Sequence, residues 1–219
     1  KAGKIKKEKL SALIIDDEKQ FSLPSKWAWA RLQEVIDVRD GTHDSPKNTE
    51  DLNSYPLVTS KDFVDGEINF NTAKRISEKD HFEIAKRSLV EKYDILFSMI
   101  GGNIGNQVIV NTDQHFSIKN VALFKYYNKK LTSPFFIKKY TENLAASLQS
   151  TAVGGAQPFV ALSALRNLVI ALPPTNEQHR IVIKADELMT LCEQLKSRIT
   201  AANRLQQKLA DVIVEKAVA

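Results

Sequence analysis

Thr175 to Ala219 reads TNEQHRIVIKADELMTLCEQLKSRITAANRLQQKLADVIVEKAVA. Ile181, Leu188, Leu195, Ala202 and Leu209 recur every seven residues, and Ala185, Cys192, Ile199, Gln206 and Ile213 each follow four later. This is the a/d spacing of a coiled coil, sustained for about four to five heptads. A straight helix drifts off such a seam, so the pattern asks for a left-handed supercoil with a partner. Pro173-Pro174 cannot lie inside a helix, and Thr175-Asn176-Glu177-Gln178 reads as a capping box. At 1.5 Å rise per residue the stretch predicts a rod of roughly 65 Å. A small domain needs no such rod in its core, so it holds something at a distance or grips a partner.

Working back from the rod, the 219 residues allow one or two domains. No run reaches the ~18 apolar residues of a membrane-spanning helix. The lysine-rich start lacks the apolar run of a signal peptide. The first residue is not Met, which points to a fragment or a processed product. The single Cys192 falls on the seam, where a buried, inert thiol is expected. These features fit the cytoplasm. A net charge of +5 permits nucleic-acid binding without requiring it, because acids are interleaved almost everywhere.

Residues 1–20 read as a basic linker, residues 21–172 as a globular domain and residues 173–219 as the long helix. The fold class is α+β. Trp27 and Trp29 are expected as core anchors on an extended entry, followed by a short helix through Leu32, Val35 and Ile36. Arg39 to Lys47 reads as a turn-rich loop, and Tyr55 to Thr59 as a strand. Ser77 caps a helix to Arg87. Strands follow at Tyr93–Ile100, Ile104–Val110 and Val121–Tyr126, with Gly101-Gly102-Asn103 breaking the first from the second. Ser133-Pro134 opens a helix to about Ser150, Leu162 to Leu165 forms a helical turn, and Asn167 to Leu172 is the last strand. Strand pairs look antiparallel, without a βαβ rhythm.

Catalytic patterns are missing from the sequence. There is no phosphate loop, no G-x-S-x-G elbow, and no metal-ligand spacing among His43, His81, His115 and His179. No cofactor, catalytic residue or metal ligand is expected. Several loops instead carry residue types suited to base edges and phosphates. The candidates are Arg39, Thr42, His43, Lys47, Ser60, Lys61, Asn103 and Gln157. Residue types alone leave two readings open: a DNA-binding protein, or a coiled-coil assembly module with no DNA role.

An ordered set of segments adds to this. It comprises Gly41-Thr42-His43-Asp44-Ser45-Pro46, Pro56-Leu57-Val58-Thr59-Ser60-Lys61-Asp62, Asp94-Ile95-Leu96-Phe97-Ser98 with Gly101 to Gly105, Gly154-Gly155-Ala156-Gln157-Pro158, and Leu168 to Pro174 running into Asn176-Glu177-Gln178-His179-Arg180-Ile181-Val182. In this order the chain resembles a specificity subunit of a Type I restriction–modification system. The resemblance implies two target-recognition domains per full subunit, each reading half of a split double-stranded DNA site. Two long helices would pair antiparallel and hold them apart. The subunit would have no catalytic centre and would dock modification subunits, which methylate adenine using S-adenosylmethionine, and restriction subunits, which translocate and cut using ATP. Residues 21–172 would be one target-recognition domain and residues 173–219 one spacer helix. Half of the pattern is present, so a homodimer of this chain, or pairing with the second half of the same subunit, is expected through Ile181, Ala185, Leu188, Cys192, Leu195, Ile199, Ala202, Leu209 and Ile213.

Overall fold

Val121–Phe124 is wholly apolar and buried, and the central sheet is built around it. The computed structural model describes residues 11–150, 152 and 158–218. In chain order the elements are β1 (Ala28–Arg31), α1 (Leu32–Val35), β2 (Ile36–Asp40), β3 (Tyr55–Val58), β4 (Phe63–Val64), β5 (Glu67–Ile68), β6 (Lys74–Ile76), α2 (Glu78–Ser88), β7 (Ile95–Ser98), β8 (Gln107–Ile109), β9 (Ser117–Ile118), β10 (Val121–Tyr126), α3 (Pro134–Ser150), α4 (Leu162–Asn167), β11 (Val169–Leu172) and α5 (Thr175–Val218). Together they form a mixed helix-and-strand fold with a long C-terminal helix. The chain divides into two units, one ending at Gln178 and one beginning at His179.

In the first unit, β10 lies between β2 and β7 in an antiparallel sheet ordered β2-β10-β7-β8. Val121 and Leu123 join a cluster with Val58, Leu96, Val108 and Ile118. On the alternate positions Phe124 stacks with Phe97, centroids 5.6 Å apart. Residues i and i+2 share a face of a strand, so a strand buried on both faces must be apolar throughout. A second sheet is ordered β6-β3-β9, and β3 and β9 run parallel. That pair corrects the expectation of antiparallel pairing alone. It arises because β3 and β9 are far apart in sequence and no hairpin constrains their direction.

Two close approaches bring the loops together. A Cβ on Gly41 would stand 2.7 Å from the Ile118 carbonyl oxygen. The end of β2 therefore lies against the β9–β10 turn, where Gly41 N donates to Val121 O and Thr42 N to Ile118 O, each at 3.0 Å. Gly105 has φ +90°, and a Cβ there would stand 2.4 Å from Ala145 Cβ on α3. Gly105 fits because it adds no side chain and adopts positive φ freely. The same helix reaches β8 through Thr141, whose hydroxyl donates to Gln107 Oε1 at 2.8 Å.

Several local expectations differ from what is found. Ile36–Asp40 is a strand rather than a helix end and loop; Ile36 and Val38 face inward and alternate with Asp37 and Arg39. Ile104–Val110 shortens to β8, because Gly101–Asn103 folds as a 3₁₀ turn and Ile104 to Asn106 complete the loop. Trp27 and Trp29 are half-buried rather than central. Trp27 Nε1 donates to Glu177 at 2.9 Å, and Trp29 packs on Phe21. The capping box does not form, because tertiary partners take its side chains. Thr175 donates to the carbonyls of Lys130 and Leu131. Gln178, 1% exposed, accepts from Ser133 N at 2.8 Å and donates to Pro173 O at 2.9 Å. The basic start, Lys1 to Leu10, lies outside the described residues. Beyond it, residues 12–18 are held by Arg31, which donates to Ala12 O, Leu13 O and both oxygens of Glu18.

The second unit is helix from His179 onward. α5 as a whole has 44 residues, or about 66 Å at 1.5 Å each. Its seam is exposed along the single chain: Leu188 is 52% exposed, Leu195 48%, Ile199 60% and Leu209 56%. Cys192 is exposed as well, not buried as expected. Knobs on one helix have no holes of their own, and only a second helix buries them.

Candidate functional site

After β3 the chain makes a 3₁₀ turn over Ser60–Asp62. Asp62 points inward and is 4% exposed. Its Oδ2 accepts from Thr59 N at 2.8 Å and Thr59 Oγ1 at 2.9 Å, and its Oδ1 accepts from Thr72 Oγ1 at 2.8 Å. With the carboxylate turned in, Ser60 and Lys61 face out. A second side comes from the β9–β10 turn, where Asn120 has φ +54°. Asn tolerates this left-handed region better than most residues. The third side is the Gly101–Asn103 turn, whose Gly101 N donates to Pro158 O at 2.8 Å.

These three sides enclose a cleft of about 780 Å³. Of the sequence candidates, the structure brings Ser60, Lys61 and Asn103 together here. It adds Lys74 from β6, Lys119 and Asn120, none of which the sequence reading singled out. The turn Lys119-Asn120 between two apolar strands is a local signal that could have found the last two. Three lysines thus line one cleft, and its single carboxylate, Asp62, is tied into its own turn. Lys61 and Lys74 have no ion-pair partner among the described residues, while Lys119 donates to Ser45 Oγ.

The other candidates are placed differently. His43 lies in an adjoining groove of about 400 Å³ with Asp44, Glu83 and Arg87. It reaches the cleft through Asn120, with Nδ1 2.9 Å from Asn120 Oδ1 and Nε2 2.7 Å from Asp40 Oδ2. The hydrogen bonds to Asn120 and Asp40, with the charge of Asp40, raise its pKa above 6.5 against the opposing effects of burial and Arg87. Thr42 is 7% exposed, and its hydroxyl accepts from Asp44 N at 3.1 Å, shaping the loop. Arg39 lies outside the cleft, paired with Asp37 at 2.7 Å. Lys47 is exposed and follows Pro46 at the cleft wall. Gln157 lies outside the described residues.

Chemically, the cleft offers cations, hydroxyls, amides and backbone N–H groups. No histidine or cysteine lines it. Among the described residues no group of three or more His, Cys, Asp or Glu could hold a metal ion. No described helix is long and apolar enough to cross a membrane. This donor-rich surface suits a polyanion with hydrogen-bonding edges.

Comparison with known proteins agrees with that chemistry. A family model described as "Type I restriction modification DNA specificity domain" matches residues 24–202. The chain is 26% identical over 229 residues to the Type I restriction enzyme EcoAI specificity subunit of Escherichia coli, covering 100% of this chain and 38% of that protein. It is 27% identical over 232 residues to the EcoEI specificity subunit of the same organism, with the same coverage. The chain therefore spans less than half the length of these relatives. Among solved structures, the HsdS subunit from Thermoanaerobacter tengcongensis aligns with a TM-score of 0.62 at 24% identity, over 81% of this chain and 41% of that one. A chain from a structure describing assembly and conformational transition of the type I R-M system aligns with a TM-score of 0.67, also at 24% identity, over 91% of this chain and 47% of that one.

Proposed function

The chain belongs to the family of Type I restriction–modification DNA specificity domains, and from that premise we propose that it reads one half of a bipartite double-stranded DNA target. Residues 21–172 act as the target-recognition domain and residues 173–219 as the spacer and pairing helix. The chain is non-catalytic and delivers modification and restriction subunits to the site. Through its exposed seam it pairs with a second copy or with the other half of the same subunit. The single observation that carries the DNA reading is the cleft where Lys61, Lys74 and Lys119 converge with Ser60, Asn103 and Asn120. Lysines position phosphates, while hydroxyls and amides reach base edges.

The test is binding of fluorescent duplexes across a salt series. Affinity for any duplex should fall steeply with salt, because each neutralised phosphate releases counterions. Lys61→Ala, Lys74→Ala and Lys119→Ala should each lower the log–log slope by about 1. Salt-independent binding, or none, would favour a coiled-coil assembly module with no DNA role.

A further inference from the structure

Asn120 belongs to two surfaces. It lines the lysine cleft, and its side chain meets His43 from the neighbouring groove. Asp40 Oδ2 lies 2.7 Å from His43 Nε2. An ionised carboxylate only accepts, so Nε2 carries a proton. The state of Nδ1 then decides which way the Asn120 amide faces. A protonated Nδ1 donates to Asn120 Oδ1 and leaves the Nδ2 amide group for the cleft. A bare Nδ1 must accept, so the amide turns over and leaves Oδ1 for the cleft. Asn120 Nδ2 has no protein partner among the described residues, so nothing else fixes its orientation.

We propose that the His43–Asn120 pair sets whether the cleft presents a hydrogen-bond donor or an acceptor to a DNA base. Asn120 is then a specificity-determining residue whose polarity follows the protonation of His43. This rests on the DNA-reading function above and names one of its readers. A donor suits guanine O6 and N7 or thymine O4; an acceptor suits adenine N6 or cytosine N4.

The backbone around the pair is fixed, so the amide is the part that turns. Asn120 N donates to Thr42 O at 3.1 Å and Thr42 N to Ile118 O at 3.0 Å. Gly41 leaves no room for a Cβ beside Ile118. Asp40 Oδ2 is held by His43 Nε2, and its Oδ1 is buried with no hydrogen-bond partner among the described residues. The charged groups around His43 come from several elements: Asp40 on β2, Asp44 on the same loop, Glu83 and Arg87 on α2, and Lys119 beside Asn120. Arg87 is turned toward Gly41 O, to which it donates. The hydrogen bonds of His43 to Asn120 and Asp40 raise its pKa above the ordinary histidine value.

The experiment is selection of duplexes from a pool with randomised positions, using the full chain at fixed salt at about pH 6 and about pH 9. One base position should change its preference by about tenfold between the two. In His43→Gln that position should become pH-invariant. In Asn120→Gly, which keeps the left-handed backbone, it should lose its preference while the other positions keep theirs. Without DNA, the side-chain amide ¹⁵N–¹H resonances of Asn120, assigned by their loss in Asn120→Gly, should shift with the His43 titration. Base preferences that do not move with pH, a pH effect that persists in His43→Gln, or amide resonances blind to the titration would each overturn the proposal alone. Absence of salt-dependent binding at both pH values would overturn the DNA-reading function, and the proposal with it.

Discussion

The ring of Tyr55 stacks on that of His81, with centroids 4.0 Å apart and planes 5° from parallel. His81 is 2% exposed, and its Nδ1 lies 2.9 Å from Ser117 Oγ. The contact ties α2 across the β6-β3-β9 sheet.

Burial lowers the pKa of His81 below 6.5, and His115 adds to the effect. The unfolded chain therefore binds a proton that the folded chain refuses. Stability should be intact above the unfolded value and should fall as pH drops through it. Urea unfolding at pH 7.5, 6.5 and 5.5 should show this loss. His81→Gln should flatten it, at a cost of about 1–2 kcal/mol at pH 7.5 from the lost stacking. The raised pKa of His43 acts in the opposite sense just above 6.5, but its side chain is 62% exposed, so its contribution is screened. Stability that stays level in the wild type from pH 7.5 to 5.5 would count against this account.

Asp62→Ala separates positioning from charge. The substitution takes the acceptor from Thr59 N and from the Thr59 hydroxyl, while the Thr72 hydroxyl keeps Asn69 O, which should cost about 1–3 kcal/mol. It also removes a negative charge beside three lysines, which by electrostatics alone should tighten DNA binding. If Asp62 holds the turn that presents Ser60 and Lys61, affinity should fall instead. Anisotropy titrations at one salt concentration, with folding checked by circular dichroism, give the sign. Tighter binding by Asp62→Ala would show that the turn needs no such support.

Much of the fold was legible because the signals were local. Val121–Phe124 is a continuous apolar run, and Ser133-Pro134 marks a helix start by its fixed φ; both elements fall where the sequence placed them. Ser77 caps α2 by accepting from Asp80 N, as its position suggested. The strand Ile36–Asp40 was hidden because Leu32, Val35 and Ile36 also fit a helical spacing. At the cleft, Ser60 and Lys61 could be read because they follow an apolar strand. Lys74, Lys119 and Asn120 could not be grouped with them. They arrive through β6 and β9, which flank β3, and β9 has only 2 residues. No local pattern announces a parallel pairing across that many residues.

The exposed seam of α5 predicts self-association. Leu188→Asp combined with Leu195→Asp should convert paired chains to monomers in sedimentation at tens of micromolar. Two charges in an apolar seam are desolvated without partners, so pairing should weaken by several kcal/mol. Near-ultraviolet circular dichroism should be unchanged, because every Phe, Trp and Tyr precedes residue 175. A wild-type chain that is already monomeric would mean that the seam serves another polypeptide, such as the other half of the same subunit.

Paired chains also make the helix a ruler. Symmetric pairing of identical domains should make the two half-sites inverted repeats. The helix length of about 66 Å, taken as an upper bound on separation, keeps half-site centres within about 19 base pairs at 3.4 Å per step. One heptad inserted between Leu195 and Ala202 keeps the seam in register, so pairing should survive. It adds about 10 Å per helix, or roughly three base pairs if the whole length is transmitted. Methylation mapping with the cognate modification subunits should then find a longer unspecified gap between unchanged half-sites. On the proposed reading the half-site bases depend on the cleft loops, from Ser60 to Asn120, which the insertion does not touch. Altered half-sites with an unaltered gap would show that spacing is set elsewhere than in the helix.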